Sequence, residues 1–156
     1  MIAYAIFAVL LIISDQLSKL WAQSVLKGGS DLPFLPGILE FSYVENTGIA
    51  FGMLQGMQKF VLPLSVIIVA GLVYLAFYYH KKRCYVLSFS LVAIISGAIG
   101  NIIDKLRLHY VIDFLHTEFI EFPVFNLADV FICVGAFVIA IYILFFDKEE
   151  KNDNHK

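Results

Sequence analysis

Charged residues are scarce in this sequence. Asp, Glu, Lys and Arg make up 15% of the 156 residues, and the formal net charge is −2. A water-soluble domain usually carries about a quarter charged residues and is about half apolar, whereas this chain is 60% hydrophobic. The composition therefore excludes a single soluble globule, and the lack of excess basic charge argues against nucleic acid as a partner.

Cysteine is also rare, with one residue at position 84 and another at position 133. Cys84 lies at the inner end of one predicted span and Cys133 near the outer end of the next, which places them beyond the reach of a disulfide. Cys133 is interpreted as an apolar packing residue.

What the sequence does contain is four long apolar runs, at about residues 2–21, 60–79, 85–103 and 127–146. Each is close to the roughly 20 residues that a helix needs to cross a bilayer. The first run has no positively charged leader and no small-x-small site after it, so it is interpreted as a permanent helix rather than a cleaved signal peptide. We therefore expect an all-α membrane protein with four transmembrane helices.

Basic residues predict the orientation. The link between the second and third runs carries Lys81, Lys82 and Arg83, and the tail after residue 146 carries three more lysines. The positive-inside rule places both segments, and with them the N-terminus, in the cytoplasm. The longer connections at 22–59 and 104–125 then face outward. The tail at 147–156 is charged and aperiodic, so it is predicted to be disordered.

The first outer connection predicts a β-containing loop at about residues 32–56. Residues 32–37 are turn-rich, residues 39–44 alternate like a half-buried strand, and residues 49–54 can return as a second strand. A two-stranded hairpin is marginal alone, so this sheet is expected to lean on the helices or on lipid headgroups.

Polar and small residues within the spans each need an explanation, because ionisable groups are costly in a membrane. Asp15 and Lys19 are interpreted as an i, i+4 ion pair on the first span. Asp104 ends the third span, where interfacial water is expected to solvate it. Ser96 and Gly100 share one face of that span, which predicts close helix packing.

Two further aspartates lie near the predicted outer surface. Asp113 is the single carboxylate of an apolar stretch at 110–115, a setting that raises the pKa of a carboxyl group. Asp129 begins the fourth span three residues after Asn126, a spacing that also fits a purely structural capping box. A short connection makes the third and fourth spans neighbours, so we expect the two carboxylates to converge.

Converging carboxylates share one proton near neutral pH, because two adjacent negative charges are unfavourable. The ionised member can accept a proton from a water molecule that attacks a peptide carbonyl, and the protonated member can donate to the carbonyl oxygen. Neither a metal nor a cofactor is required. A small proton- or ion-coupled transporter subunit could use the same carboxylates, but it predicts polar residues through the bilayer midplane. A structural assembly factor would tolerate their loss.

A metal site is a further alternative. His109, Asp113 and His116 have the i, i+4, i+7 spacing of one helical face, and Asp129 would add a fourth ligand. The β-branched and aromatic residues of this segment argue against a helix, so no metal site is predicted.

Five motifs follow one another along the chain: DQLSK at 15–19, NTGIAF at 46–51, GNIIDK at 100–105, VIDF at 111–114 and FNLAD at 125–129. In this order on four spans, the chain resembles bacterial lipoprotein signal peptidase, also called signal peptidase II. The resemblance implies an inner-membrane aspartyl protease with a catalytic domain at 1–146, a small extracytoplasmic β-sheet and a short interfacial helix. Such enzymes cleave prolipoproteins just before a diacylglyceryl-modified cysteine, and they need no cofactor.

By position, Asp113 and Asp129 correspond to the catalytic pair of that family. Its site-supporting or substrate-binding positions correspond to Asn46, Gly48, Asn101, Lys105, Asn126 and Asp15. Lys105 replaces a more usual arginine and lacks the planar fork of a guanidinium. Glu45 stands where arginine or an uncharged residue is expected. Both departures affect contacts with substrate rather than the pair, and one chain supplies both aspartates, so a monomer suffices. The expected partners are the prolipoprotein and membrane lipids.

Overall fold

The structure is a computed structural model of the chain, and it describes residues 1–48 and 58–146. Its four helices are α1 (Ile2–Val25), α2 (Gln58–Lys81), α3 (Tyr85–Leu108) and α4 (Leu127–Phe145). Its three strands are β1 (Leu32–Leu35), β2 (Leu39–Asn46) and β3 (Val111–Thr117), which form one antiparallel sheet in that order. All four helices are long and apolar enough to cross a membrane, so the predicted fold class is confirmed.

Three helices extend beyond the spans predicted for them. α1 continues to Val25 rather than ending near residue 21, and α3 continues to Leu108 rather than residue 103. The extension of α3 begins at Asp104, which is fully buried and pairs with Lys19 of α1, itself paired with Asp15. The prediction that interfacial water solvates Asp104 is therefore wrong.

α3 is the central helix of the bundle. Half of its most apolar stretch is buried, against 17% in α1, 6% in α2 and 11% in α4. A Cβ atom at Gly97 would collide with the backbone oxygen of Ala128 on α4, and one at Gly100 would collide with the Asp15 carboxylate on α1. Glycine thus permits close helix approach, as predicted for this part of α3.

The sheet has a different origin from the hairpin that the sequence suggested. β2 confirms the strand predicted at 39–44 and extends it to Asn46, while β1 comes from a segment predicted only to turn. Residues 36–38 connect the two strands, and Gly37 among them has a φ of 77°, which glycine adopts without strain. The third strand is β3, in which Asp113 lies opposite Val44 of β2.

Some expectations concern residues outside the described ranges. The return strand at 49–54 and the tail at 147–156 both fall there. The short interfacial helix is not found in residues 1–48 or 58–146.

The sheet rests on one end of the bundle, as expected. Ile112 and Phe114 of β3 pack with Ala22 and Leu26 from the end of α1 in a buried apolar cluster. The opposite end holds the basic link between α2 and α3, where His80 Nδ1 lies 3.2 Å from the hydroxyl of Tyr4. The sheet and the basic link are therefore at opposite ends of the helices.

Candidate active site

β3 brings its carboxylate to the start of α4 through backbone pairing. One edge of β3 pairs with β2, and the other edge meets Phe125. The N–H of Phe125 donates to the Leu115 carbonyl at 3.0 Å, and its own carbonyl accepts from Phe114 and Leu115 at 2.9 and 2.8 Å. Asn126 then caps α4. The strand that carries Asp113 is thus bonded to the residue preceding the helix.

Asn126 and Asp129 form the capping box that their spacing predicts. The Asn126 Oδ1 accepts the backbone N–H of Asp129 at 3.1 Å, and the Asp129 Oδ2 accepts the backbone N–H of Asn126 at 3.2 Å. These two bonds satisfy orphan donors of the helix start and fix the Asp129 carboxylate there.

Three asparagine side chains join the two carboxylates. Asn126 Nδ2 donates to Asp113 Oδ1 at 2.6 Å and to Asn101 Oδ1 at 3.1 Å. Asn46 Nδ2 donates to Asp113 Oδ2 at 2.9 Å. Asn101 Nδ2 donates to Asp129 Oδ1 at 2.9 Å. Each of the four carboxylate oxygens therefore accepts at least one N–H from the described part of the chain.

Asp113 and Asp129 line the same cavity, whose volume is about 670 Å³. Its polar wall also includes Asn46, Gly48, Asn101 and Lys105. Its apolar wall includes Phe122, Pro123, Val124, Phe125, Val130 and Ile132. The cavity therefore offers an apolar surface beside a pair of carboxylates.

Asp113 is the more deeply buried member of the pair, with 2% of its surface exposed. Its pKa is raised to about 6, chiefly by burial and also by the nearby Asp129 charge, while hydrogen bonds from Asn46 and Asn126 oppose the shift. The direction agrees with the expectation from its apolar sequence neighbours. The protonation midpoint of this carboxyl is thus about pH 6.

The two remaining predicted site residues do not line the cavity. Asn126 lies behind the carboxylates, and Asp15 is buried away from the cavity, where it pairs with Lys19 at 3.0 Å as predicted. Lys19 also pairs with Asp104 at 3.1 Å, a contact that sequence reasoning missed. Cys133 is exposed on the cavity wall rather than packed, and its position one turn after Asp129 was the available signal.

The helical arrangement required by the metal alternative is not formed. Asp113 and His116 lie on a strand, and His109 ends α3 with a φ of 66°. His116 Nδ1 instead lies 2.7 Å from Glu40 on β2. Within residues 1–48 and 58–146 there is no group of three or more His, Cys, Asp or Glu side chains placed to hold a metal ion.

Comparison with known proteins decides the family. Residues 7–145 match the family model described as signal peptidase (SPase) II. The chain belongs to the signal peptidase II family. The lipoprotein signal peptidase of Streptococcus pyogenes serotype M6 is 40% identical over 151 residues, covering 96% of this chain and 97% of that protein. The protein of the same description from serotype M5 is 40% identical over 152 residues, covering 97% of each.

Two solved structures share the fold. Both are bacterial membrane enzymes determined by the in meso method, at 2.3 and 1.9 Å resolution, and both match with a TM-score of 0.82. The first is 27% identical and covers all of this chain and 93% of its own; the second is 29% identical and covers 94% and 95%. The chain is therefore a multi-pass membrane peptidase of the aspartic type that acts on prolipoproteins, as the sequence motifs implied.

Proposed function

We propose that Asp113 and Asp129 are the catalytic pair with which this peptidase cleaves a prolipoprotein just before its diacylglyceryl-modified cysteine. The observation that carries the proposal is the position of Asn126, which donates to Asp113 while it caps the helix turn that holds Asp129. One side chain thus fixes both carboxylates at the wall of one cavity.

The pair works with a single proton between its members. The ionised carboxylate accepts a proton from the attacking water, and the protonated one donates to the scissile carbonyl oxygen as the tetrahedral intermediate forms. A proton then passes to the leaving amine. The asparagine donors hold the two carboxylates in place, so the reaction begins from a fixed geometry. The two carboxyl groups titrate as a coupled pair, so the roles of base and acid are assigned to the pair and not to one residue.

The cavity walls divide the work of holding the substrate. Lys105, Asn46 and Gly48 present polar groups to the peptide near the scissile bond. The apolar wall around Phe122 and Val130 accommodates lipid chains of the modified cysteine, which supply binding energy away from the reacting centre. A monomer within the lipid bilayer is sufficient, because both carboxylates belong to one chain.

The site faces outward in the proposed topology. The basic link after α2 lies at the end of the bundle opposite the sheet, and the positive-inside rule assigns that link to the cytoplasm. Both termini are then cytoplasmic in the bacterial inner membrane, and the carboxylates lie at the extracytoplasmic surface, where the cleavage site of a precursor emerges from the bilayer.

The test is cleavage of a diacylglyceryl-modified prolipoprotein by purified protein in detergent, comparing wild type with Asp113→Asn and Asp129→Asn. Each is assayed with and without chelator. The proposal expects both variants to lose activity by at least about 1,000-fold and wild type to be unaffected by chelator. A fully active, folded variant would refute the pair, and chelator-sensitive cleavage would point to metal chemistry.

A further inference from the structure

Lys19 is a fully buried cation behind the aspartate pair. Its ammonium group lies 3.0 Å from Asp15 Oδ2, 3.1 Å from Asp104 Oδ2 and 2.9 Å from Asn101 Oδ1. An ammonium group has three N–H donors and no acceptor, so these three contacts use its full capacity. A buried charge with three cross-linked partners defines their relative positions more tightly than a solvated one.

The two carboxylates bonded to Lys19 reach the backbone beside the aspartate pair. Asp15 Oδ1 accepts the N–H of Ala128, the residue immediately before Asp129, at 3.0 Å. Asp104 Oδ2 accepts the N–H of Ile112, the residue immediately before Asp113, at 3.2 Å. One buried ion triad therefore holds the chain next to each member of the pair.

Asn101 provides the third connection. Because an ammonium group can only donate, Lys19 requires the Asn101 oxygen to face it, and the Asn101 Nδ2 must then face Asp129. The same oxygen accepts from Asn126 Nδ2, which also donates to Asp113. The charge on Lys19 thus sets the direction of the hydrogen bonds that end on both carboxylates.

We infer that Lys19 is a positioning residue for the aspartate pair, acting through Asp15, Asp104 and Asn101. The inference rests on the proposed function, since it assigns a role toward Asp113 and Asp129. The bonds that residues 1–48 and 58–146 make to the pair all come from N–H donors. The catalytic proton therefore occupies the second lone pair of an oxygen and is available to water and substrate in the cavity.

Several charged groups act on the two carboxyl groups of the pair, so the pH dependence of kcat reflects all of them. In the part of the chain that the structure describes, those that face the pair or lie directly behind it are Asp15 and Lys19 of α1, Glu45 of β2, and Asp104 and Lys105 of α3. Without the Lys19 ammonium group, the Asn101 Nδ2 is no longer directed at Asp129. Loss of this donor makes the ionised member of the pair easier to protonate, so the acid limb of the kcat profile moves to higher pH.

The test compares wild type with the double variant Lys19→Gln/Asp104→Asn. Lys19 and Asp104 together carry no net charge, and neither do their replacements. The net charge of the buried triad is therefore unchanged, while the ammonium donor is lost. The expected result is a roughly 10- to 100-fold lower kcat, an unchanged KM and an acid limb at higher pH. Lys81→Gln, which alters an exposed lysine at the other end of the bundle, is the matched control and retains the wild-type profile.

A double variant with the kcat and pH profile of wild type would overturn the inference, as would a lower kcat with an unmoved acid limb, since that indicates a structural role alone. If the double variant does not fold, Lys19→Arg decides, because it keeps the charge and the donors. It should keep the acid limb at the wild-type pH, and a shifted limb would contradict the inference.

Asp113→Asn and Asp129→Asn, assayed in parallel, separate the two proposals. If both are inactive while the double variant behaves as wild type, only the role of Lys19 fails.

Discussion

The end of α3 beside the sheet and the rest of the helix satisfy buried polar groups in different ways. Beside the sheet, Asp104 bonds to Lys19 on α1 and to the backbone of β3. Farther from the sheet, Ser90 and Ser96 donate to carbonyls four residues earlier on the same helix. Bonds within one helix leave its neighbours free to adjust, whereas bonds between elements fix their relative positions. The difference indicates that the end beside the sheet is built to hold a geometry and the rest of the helix to cross the membrane.

Among substitutions outside the aspartate pair, the largest effect is expected from removing the side chain that links the two carboxylates. Asn126→Ala takes one donor from Asp113 and the N-cap from α4, so kcat should fall by about 100-fold and the free energy of unfolding by about 1–2 kcal/mol. Asn46→Ala, which removes one donor from Asp113 and the acceptor of the Gly48 N–H but caps no helix, serves as the comparison and should lower kcat less. Steady-state cleavage and unfolding in detergent measure both, and equal losses in the two variants would contradict the linking role.

The second effect is a pH-dependent stability difference at Asp113. Its folded pKa of about 6 lies above the ordinary value of 3.8, so the folded state binds the proton more tightly. This contribution is fully present below about pH 4 and is lost as pH rises through about 6. Relative to Asp113→Asn, which does not titrate, wild type should lose roughly 2–3 kcal/mol of unfolding free energy between pH 4 and pH 8.

Denaturant unfolding of wild type and Asp113→Asn at these two pH values measures that difference. A stability gap that does not change with pH would show that the carboxyl is not perturbed by burial.

The third effect is a difference in stability between substitutions on a packed and on an exposed helix face. Gly100→Ala should cost about 1–3 kcal/mol of unfolding free energy, because its Cβ would meet the Asp15 carboxylate. Gly71→Ala on α2 is the matched control, since a Cβ there has nothing within 4 Å. Gly100→Ala should also lower kcat, because Asp15 would be displaced from the backbone of Ala128. Equal stabilities of the two variants would contradict the close approach of α1 and α3.

The smallest effect is expected at the exposed ion pair. Lys27 lies 2.8 Å from Glu45, and the two side chains are 50% and 39% exposed. Water and salt screen such a pair, so Lys27→Gln should leave the unfolding midpoint unchanged, in contrast to substitution of the buried Lys19. Unfolding in parallel at low and high salt checks this, and a large destabilisation by Lys27→Gln would show that burial does not explain the difference between the lysines.

Much of the fold was predictable because its signals are local. Four apolar runs give four helices, and the Asn126–Asp129 spacing gives the capping box. The pairing of β2 with β3 was not predictable, because their register joins segments about 70 residues apart and depends on the helices between them. The burial of Asp104 was missed for a similar reason, because its ion-pair partner Lys19 lies on α1, far away in the sequence.

The site shows the same division. Asp113 and Asp129 stand out because each is a carboxylate with apolar residues on both sides, a feature that the local sequence alone reveals. Lys19 was interpreted as the partner of Asp15 alone, because the i, i+4 spacing already accounted for its charge. Its contacts with Asp104 and Asn101 depend on how α1 packs against α3, where Gly100 allows close approach.

The most direct test of the central claim is a double-mutant cycle on single-turnover cleavage of a diacylglyceryl-modified prolipoprotein. If Asp113 and Asp129 act as one unit, Asp113→Asn, Asp129→Asn and the double variant should lose the same activity, to within about tenfold. Binding of the precursor and the unfolding midpoint, measured on the same samples, confirm that each variant is folded. Losses that multiply in the double variant, or a single variant that retains its cleavage rate, would contradict a shared catalytic pair.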